Sequence, residues 1–276
     1  MLQCRLRLAL TASALAWSAW AWGQSTPPAS QPAVPTRPAA SSQPAPVLRA
    51  GEEVRITLPK SKKGAVVYVP TDYKADRAWP ILINYPFLGG AASTAPFKQI
   101  TGGKGFVILG MNYATQEYGL KLDRNSLPAE QEQFTEALEL VGRSVRINPG
   151  KVFMGGVSQG GFSATVLGEV VLDRLAGLII LAAARSYGEQ LPPERKVIDG
   201  KAIFIGIGQK DDAFYPLAKK SAETYKTWGA KVTLEEWPDF GHGLDLKNTK
   251  LQEWLKANTS AVPTTRPSDR RPGLFD

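Results

Sequence analysis

The sequence predicts an α/β domain built on a mostly parallel β-sheet with helices on both faces. Strand-like and helix-like segments alternate along the chain, and eight strand-like segments lie between Glu53 and Trp237. This alternation is typical of a parallel sheet whose strands are connected by helices. Several of the apolar runs are continuous, as in strands buried on both faces. In such a sheet, ligands bind at the carboxyl ends of the strands.

The first two strand-like runs, Glu53–Leu58 and Gly64–Pro70, are rich in β-branched residues and flank a turn of lysine and glycine. This pattern predicts an antiparallel start to the sheet. The next two runs are continuously apolar and are predicted to be central strands. These and the later strand-like runs are Pro80–Pro86, Phe106–Tyr113, Lys151–Gly156, Gly177–Ala184, Lys201–Gly208 and Lys231–Trp237.

Apolar spacing predicts an amphipathic helix from Pro128 to Ile147, ended by Asn148. Its apolar positions, at spacings of four, three and four residues, are Phe134, Leu138, Val141 and Val145. Three more helices are expected, and they cover the stretch after Ser158 to about Leu172, Ala213–Trp228 and Lys250–Ala257.

The two ends of the chain differ in composition from its middle. Residues 1–23 have the pattern of a secretory signal peptide, in which two arginines precede an apolar run from Leu8 to Trp22. That run is interrupted by polar residues and is too short for a membrane span. Residues 24–50, rich in proline, alanine and serine, and residues 260–276 are predicted to be disordered. The folded domain is expected at 51–259, and the protein is expected to be secreted or periplasmic.

Composition excludes several classes of function. The formal net charge is +8, and two of the positive charges, Arg5 and Arg7, belong to the leader. The sequence has no pattern of basic and aromatic residues that would predict nucleic-acid binding. Cys4 is the only cysteine and also lies in the leader, so the mature chain would have no disulfide and no thiolate ligand or nucleophile. No nucleotide-binding loop is present. We expect no metal and no cofactor, and the sequence leaves the oligomeric state open.

A candidate nucleophile lies where a strand meets a helix. Residues Gly156 to Gly160 read Gly-Val-Ser-Gln-Gly and fit the G-x-S-x-G pattern around Ser158. Glycines suit this position because the sharp turn brings neighbouring backbone very close. The N–H of Gln159, at the start of the helix, is a candidate donor to an oxyanion. The alternative is an ordinary glycine-rich turn with a serine helix cap.

A serine needs a base, and His242 is the only histidine of the chain. It lies in a short loop between the last strand and the last helix, so it is expected at the same edge of the sheet as Ser158. The alternative is a surface histidine. The acid is expected after the preceding strand, where Asp211 is the first candidate and Asp212 the second. Asp239 is a weaker third candidate.

Three segments together resemble the α/β-hydrolase superfamily: INPGKVFMGGVSQGG, GIGQKDDAFYP and DFGHG. The similarity runs from about Val66 to Leu255 and is greatest to secreted esterases, including polyhydroxyalkanoate-depolymerase-like and dienelactone-hydrolase-like branches. It implies an eight-stranded α/β-hydrolase sheet, a triad in the order Ser158, Asp211, His242, and hydrolysis through an acyl-enzyme. It does not imply a particular substrate.

The sequence departs from this superfamily after the third strand, where His-Gly usually precedes the second oxyanion donor. Here the chain reads NYPFLGG. Alignment of the paired glycines makes the N–H of Leu88 the expected donor and that of Phe87 the second candidate. Pro86 has no N–H to donate.

The segment between Ala184 and Lys201 is too short for a large lid, so we expect an open site that takes soluble or polymer-borne esters. Four aromatic residues fall near strand ends and could line the pocket, although core packing is expected for at least half of them: Tyr85, Phe87, Tyr113 and Tyr187. Two other functions remain open. One is a serine peptidase with the same triad, and the other is a non-catalytic binding protein on a hydrolase scaffold.

Overall fold

A computed structural model describes residues 44–115, 126–185 and 195–260 of the chain. The strands are β1 Glu53–Thr57, β2 Gly64–Tyr68, β3 Trp79–Tyr85, β4 Val107–Gly110, β5 Ile147–Val157, β6 Gly177–Leu181, β7 Ala202–Gly208 and β8 Lys231–Trp237. The helices are α1 Phe97–Thr101, α2 Leu127–Gly142, α3 Gln159–Val170, α4 Arg195–Ile198, α5 Tyr215–Thr227 and α6 Leu251–Thr259, and a 3₁₀ turn covers Leu172–Arg174.

The eight strands form one sheet in the order β1-β2-β4-β3-β5-β6-β7-β8. β2 is antiparallel to both of its neighbours, and the other strands are parallel. The predicted fold class and the antiparallel start are therefore confirmed. Because the later strands are parallel, the loops that follow β5, β7 and β8 all leave from the same edge of the sheet.

Helices cover both faces of the sheet, as predicted. One face packs against buried side chains of α2, α3 and α5, and the other against α1 and α6. Every residue of β6 and β7 is buried, which explains why these strands are apolar at every position. Pro128 and Pro216 lie in the first turns of α2 and α5, where a helix loses nothing by a missing N–H.

The prediction that one helix extends from Pro128 to Ile147 is wrong at its carboxyl end. The helix α2 ends at Gly142, and Ile147 already pairs with Trp79 as the start of β5. The carbonyl of Arg146 accepts a hydrogen bond from the N–H of Trp79 at 2.7 Å, so from Arg146 on the backbone pairs with β3 instead of continuing the helix. Val145 is buried without being helical, so its spacing from the helical residues was misleading. The short helices α1 and α4 had no recognisable pattern in the sequence.

The predicted signal peptide lies outside the described residues, as do most of the predicted linker and all but the first residue of the tail. At the end of the linker, Leu48 packs against the core and the carbonyl of Pro46 accepts a hydrogen bond from the hydroxyl of Ser144. No helix within the described ranges is long and apolar enough to cross a bilayer.

One acidic side chain on α2 lies in the interior. Glu130 is fully buried, and its Oε1 accepts a hydrogen bond from the backbone N–H of Ala114 at 2.8 Å. Burial raises the pKa of Glu130 above its ordinary value, and this backbone hydrogen bond offsets only part of the effect. Because the pKa of Glu130 is higher in the folded state than in the unfolded state, its protonated carboxyl contributes fully to the stability of the fold at pH values below the unfolded-state pKa. This contribution is lost as the pH rises through the folded pKa.

We expect Glu130→Gln to remove this part of the pH dependence, because glutamine keeps the acceptor oxygen and cannot ionise. The measurement is the free energy of unfolding in urea at about pH 5 and pH 8. The wild type should lose more stability between these pH values than the variant. Glu132→Gln is the control, since Glu132 is exposed on the same helix beside Lys60. Equal pH dependence in wild type and Glu130→Gln would contradict the prediction.

Candidate active site

Ser158 lies at a sharp turn between β5 and α3. Its backbone has φ 54° and ψ −121°, a conformation that residues other than glycine rarely adopt. The turn is held by two backbone hydrogen bonds. The N–H of Ser158 donates to the carbonyl of Leu181 at 2.8 Å, and its carbonyl accepts from the N–H of Phe162 at 3.1 Å. The serine side chain is thereby presented at the carboxyl edge of the sheet.

Close backbone contacts explain both glycines of the G-x-S-x-G pattern. A Cβ atom on Gly156 would lie 2.6 Å from the carbonyl oxygen of Tyr85, and one on Gly160 would lie 2.2 Å from the same atom. These distances are far too short for any side chain. The end of β3, the end of β5 and the first turn of α3 can therefore meet only where both positions are glycine.

The loop that carries His242 is held against the end of β7 in a similar way. A Cβ atom on Gly208 would lie 2.2 Å from the carbonyl oxygen of Phe240, so glycine is required there. The N–H of Lys210 donates to the same carbonyl at 2.8 Å. These contacts bring the histidine loop next to the turn that carries Asp211.

The imidazole of His242 bridges the serine and the aspartate. Its Nε2 lies 2.8 Å from Ser158 Oγ, and its Nδ1 lies 2.6 Å from Asp211 Oδ2. A carboxylate can only accept, so Nδ1 carries the proton and Nε2 is free to accept from the serine hydroxyl. The Asp211 side chain is only 4% exposed whereas that of His242 is 44% exposed. The other oxygen of Asp211 accepts from the N–H of Phe214 at 3.2 Å.

The other two candidate acids lie elsewhere. Asp212 is exposed and makes no hydrogen bond to His242 among the residues described. Asp239 pairs with Lys210 at 2.8 Å on the surface, and this hydrogen bond and charge lower the pKa of Asp239. Of the three acids, only Asp211 meets the histidine.

Of the three candidate oxyanion donors, Gln159 lies in the serine turn, and Phe87 and Leu88 lie in the loop after β3. Gln159 is the first residue of α3, and its N–H has no acceptor in the described part of the chain. Phe87 and Leu88 have exposed side chains, and the N–H of Gly90 donates to the carbonyl of Phe87 at 2.9 Å. The N–H groups of Phe87 and Leu88 likewise make no hydrogen bond to a described residue.

The aromatic residues near the strand ends divide into two groups. Tyr85 and Tyr113 are buried with ring centroids 5.6 Å apart, so they pack in the core and do not line an open pocket. Phe87 is exposed, and Tyr187 lies outside the described residues. The sequence interpretation missed Phe162 and Phe214, whose rings are 5.1 Å apart.

Phe214 also packs against the ring of His242 at 5.3 Å. The available signal for both phenylalanines was their spacing, because Phe214 lies three residues after Asp211 and Phe162 lies four residues after Ser158. In the described ranges, no group of three or more histidine, cysteine, aspartate or glutamate side chains is placed to hold a metal ion.

The strand order, the antiparallel second strand and the strand–serine–helix turn together define the α/β-hydrolase fold. Solved esterase structures share it. An acetyl xylan esterase from Aspergillus awamori has a TM-score of 0.55 at 13% identity, covering 74% of this chain and 99% of its own. A carboxylesterase from Bacillus cereus has a TM-score of 0.54 at 18% identity, covering 70% and 93%.

A feruloyl esterase module from Clostridium thermocellum has a TM-score of 0.53 at 16% identity, covering 75% of this chain and 87% of its own. The sequence matches no protein-family model and no curated protein. The solved structures therefore confirm the predicted α/β-hydrolase fold.

We expect Gly160→Ala to destabilise the protein by about 2–4 kcal/mol, because its Cβ would meet the backbone of β3 and not a movable side chain. The measurement is the free energy of unfolding in urea. Gly150→Ala is the control, because it makes the same change at a glycine of β5, the strand that leads into the serine turn. Its Cβ would have its nearest neighbour at 3.4 Å, and the change should stay within about 0.5 kcal/mol. Equal unfolding free energies for the two variants would contradict the close contact at Gly160.

Proposed function

We propose that the protein is a serine hydrolase that cleaves carboxylic esters through a covalent acyl-enzyme. Ser158 is the nucleophile, His242 the general base and acid, and Asp211 the residue that orients the imidazole. The observation that carries this proposal is the imidazole itself, whose two nitrogens lie within hydrogen-bond distance of Ser158 Oγ and Asp211 Oδ2. Three residues far apart in sequence meet in an arrangement that activates a serine hydroxyl.

In the first half of the reaction, Ser158 Oγ attacks the acyl carbonyl carbon while its proton moves to His242 Nε2. The buried carboxylate of Asp211 stabilises the imidazolium that forms. The imidazolium then protonates the leaving alcohol oxygen, and the carbon–oxygen bond of the ester breaks. The acyl group remains on Ser158.

In the second half, a water molecule attacks the acyl-enzyme as His242 Nε2 takes its proton. The imidazolium returns that proton to Ser158 Oγ, and the carboxylic acid is released. Each tetrahedral intermediate carries a negative oxygen. The N–H of Gln159, at the positive end of α3, is positioned to stabilise that charge.

An ester is the substrate class that the similar structures favour, because those with comparable folds include a carboxylesterase, an acetyl xylan esterase and a feruloyl esterase module. We propose an open site that takes short acyl groups on soluble or polymer-borne alcohols. The connection between β6 and β7, residues 182–201, is too short to add a domain over the site. The leader-like pattern of residues 1–23 supports a secreted or periplasmic location.

Removing the proposed nucleophile or acid should abolish most of the turnover of 4-nitrophenyl acetate. We expect Ser158→Ala to lower kcat by about 10⁶-fold and Asp211→Asn by about 10⁴-fold, since the amide favours the wrong imidazole tautomer. Asp212→Asn is the matched control, because Asp212 is the neighbouring exposed carboxylate, and its kcat should change less than about twofold. Circular dichroism would verify that all three variants fold.

Labelling with a fluorophosphonate gives a second readout, in which wild type is modified at Ser158 and Ser158→Ala is not. If folded wild type neither reacts with the probe nor hydrolyses esters, the result would favour a non-catalytic binding protein over the proposed hydrolase. Hydrolysis of peptides without hydrolysis of esters would replace it with a peptidase.

We expect kcat/KM on 4-nitrophenyl esters not to rise with acyl length from acetate to decanoate. In a covered apolar groove, each added methylene would contribute about 0.8 kcal/mol, or roughly a fourfold gain in kcat/KM. An open site offers no such burial. Steady-state rates below the critical micelle concentration of each ester are the measurement. A steady rise in kcat/KM across the series would show that a groove for long acyl chains exists.

A further inference from the structure

A buried phenol contacts the loop that follows β3. Tyr113 is 1% exposed, and its hydroxyl lies 2.8 Å from the carbonyl oxygen of Pro86 and 3.0 Å from Ser163 Oγ. A carbonyl oxygen can only accept, so the phenolic proton is donated to Pro86. Burial holds the pKa of Tyr113 well above its ordinary value, and the phenol therefore keeps the proton that it donates.

The same hydroxyl is connected to the serine turn. Since Tyr113 donates its only proton to Pro86, the hydroxyl of Ser163 must donate to the Tyr113 oxygen. The side-chain amide of Gln159 lies at the other end, with a long contact of 3.5 Å from Nε2 to Ser163 Oγ. A chain of polar contacts thus joins Gln159, whose N–H is the first candidate oxyanion donor, to the Pro86–Phe87 peptide.

The geometry of that peptide determines where its N–H points. Within the described residues, Ala95–Pro96 is the only cis peptide bond, so Pro86–Phe87 is trans. In a trans peptide, the C=O and N–H groups point in opposite directions. The carbonyl of Pro86 points inward to Tyr113, and the N–H of Phe87 therefore points outward, away from Tyr113. Phe87 itself is 59% exposed.

This peptide also lies beside the first turn of α3. A Cβ atom on Gly160 would lie 3.0 Å from the carbonyl oxygen of Pro86. The N–H of Phe87 makes no hydrogen bond to any described residue, so it is available to a ligand. An outward, unpaired N–H next to the amino end of α3 is the feature that a second oxyanion donor requires.

We propose that Tyr113 is a positioning residue that holds the Pro86 carbonyl and so orients the N–H of Phe87 as the second oxyanion donor. The first donor is the N–H of Gln159. This assigns the second donor to Phe87 rather than to Leu88. It also gives Pro86 a role that needs no N–H, because the loop uses its carbonyl as the anchor. The inference rests on the proposed ester hydrolysis.

The chain contains a matched pair of buried tyrosines for the test. Tyr85 packs against Tyr113 and is equally buried, but its hydroxyl has no hydrogen-bond partner among the described residues. Tyr113→Phe and Tyr85→Phe each delete one phenolic hydroxyl from the same region of the core. Only the first of these deletions releases the Pro86 carbonyl.

We expect Tyr113→Phe to lower kcat on 4-nitrophenyl acetate by about 10- to 100-fold, a part of the 10²–10³-fold cost of losing a whole donor. Its KM should change less than about twofold, because the donor acts on charge that develops only in the transition state. Tyr85→Phe should keep kcat within about twofold. Equal kcat values for the two variants would overturn the role of Tyr113.

Binding of a methyl trifluoromethyl ketone separates positioning from general loss of packing. Ser158 Oγ adds to the ketone carbonyl carbon while the serine proton moves to His242 Nε2, and the negative oxygen of the resulting hemiketal occupies the oxyanion site. Its affinity should fall in Tyr113→Phe by the same factor as kcat/KM, and it should not fall in Tyr85→Phe. Equal affinity of wild type and Tyr113→Phe for the ketone would contradict the proposal.

Two proline variants test the donor directly, and they do so even if Tyr113→Phe fails to fold. Phe87→Pro removes the proposed donor and should lower kcat by about 10²–10³-fold. Leu88→Pro removes the neighbouring N–H at the second position of the Phe87–Gly90 turn, where proline is favoured, and should cost less than about tenfold. The reverse order of the two losses would assign the donor to Leu88 and overturn the inference.

These outcomes are separate from failure of the proposed function. If wild type neither hydrolyses esters nor reacts with a fluorophosphonate, the hydrolase proposal itself fails. If wild type does both, and Tyr113→Phe matches Tyr85→Phe in kcat and in ketone affinity, hydrolysis stands and only the positioning role is lost.

Discussion

The close approach of three backbone segments at Ser158 is the constraint on which the rest of the site depends. The carbonyl of Tyr85 lies where side chains at Gly156 or Gly160 would have to be, so β3, β5 and α3 are in direct backbone contact. That contact holds Ser158 at a positive φ and aligns the amino end of α3 with the serine. It also places the loop after β3 beside the same helix end. The position of Ser158 and the shape of its surroundings are thus products of one tight backbone junction.

The histidine and the aspartate are brought to this junction by a second close contact, at the end of β7. There Gly208 allows the carbonyls of Phe240 and Gly241 to lie against the strand end, and the N–H of Lys210 ties the loop in place. The partly exposed loop of His242 is therefore held in position by backbone contacts. Asp211 is buried and bonded through both oxygens, so it supplies the fixed end of the arrangement.

The buried polar groups beneath the site differ in whether they form hydrogen bonds to the loop after β3. Tyr113 and Tyr85 are neighbours of similar burial, and only Tyr113 reaches a backbone carbonyl. Glu130 on α2 accepts a hydrogen bond from the N–H of Ala114, the residue after Tyr113, and so supports the same segment. The interior below the loop after β3 therefore contains directed hydrogen bonds as well as apolar packing. Such bonds fix orientation as well as position.

By itself, the sequence determined the fold class, the succession of the eight strands and the four longer helices along the chain, and the candidate residues Ser158, Asp211 and His242. These follow from local patterns: continuous apolar runs, apolar helical spacing, glycines around a serine, and a single histidine in the loop after the last strand. Only the tertiary structure decided that α2 stops at Gly142, since buried Val145 continues the helical spacing without helical backbone. It alone separated Asp211 from Asp212, because adjacent residues fit the same sequence pattern and only the fold determines which of the two side chains reaches His242. The hydrogen bond from Tyr113 to Pro86 joins residues 27 positions apart in sequence, and a contact of that kind is created by folding and has no local signature.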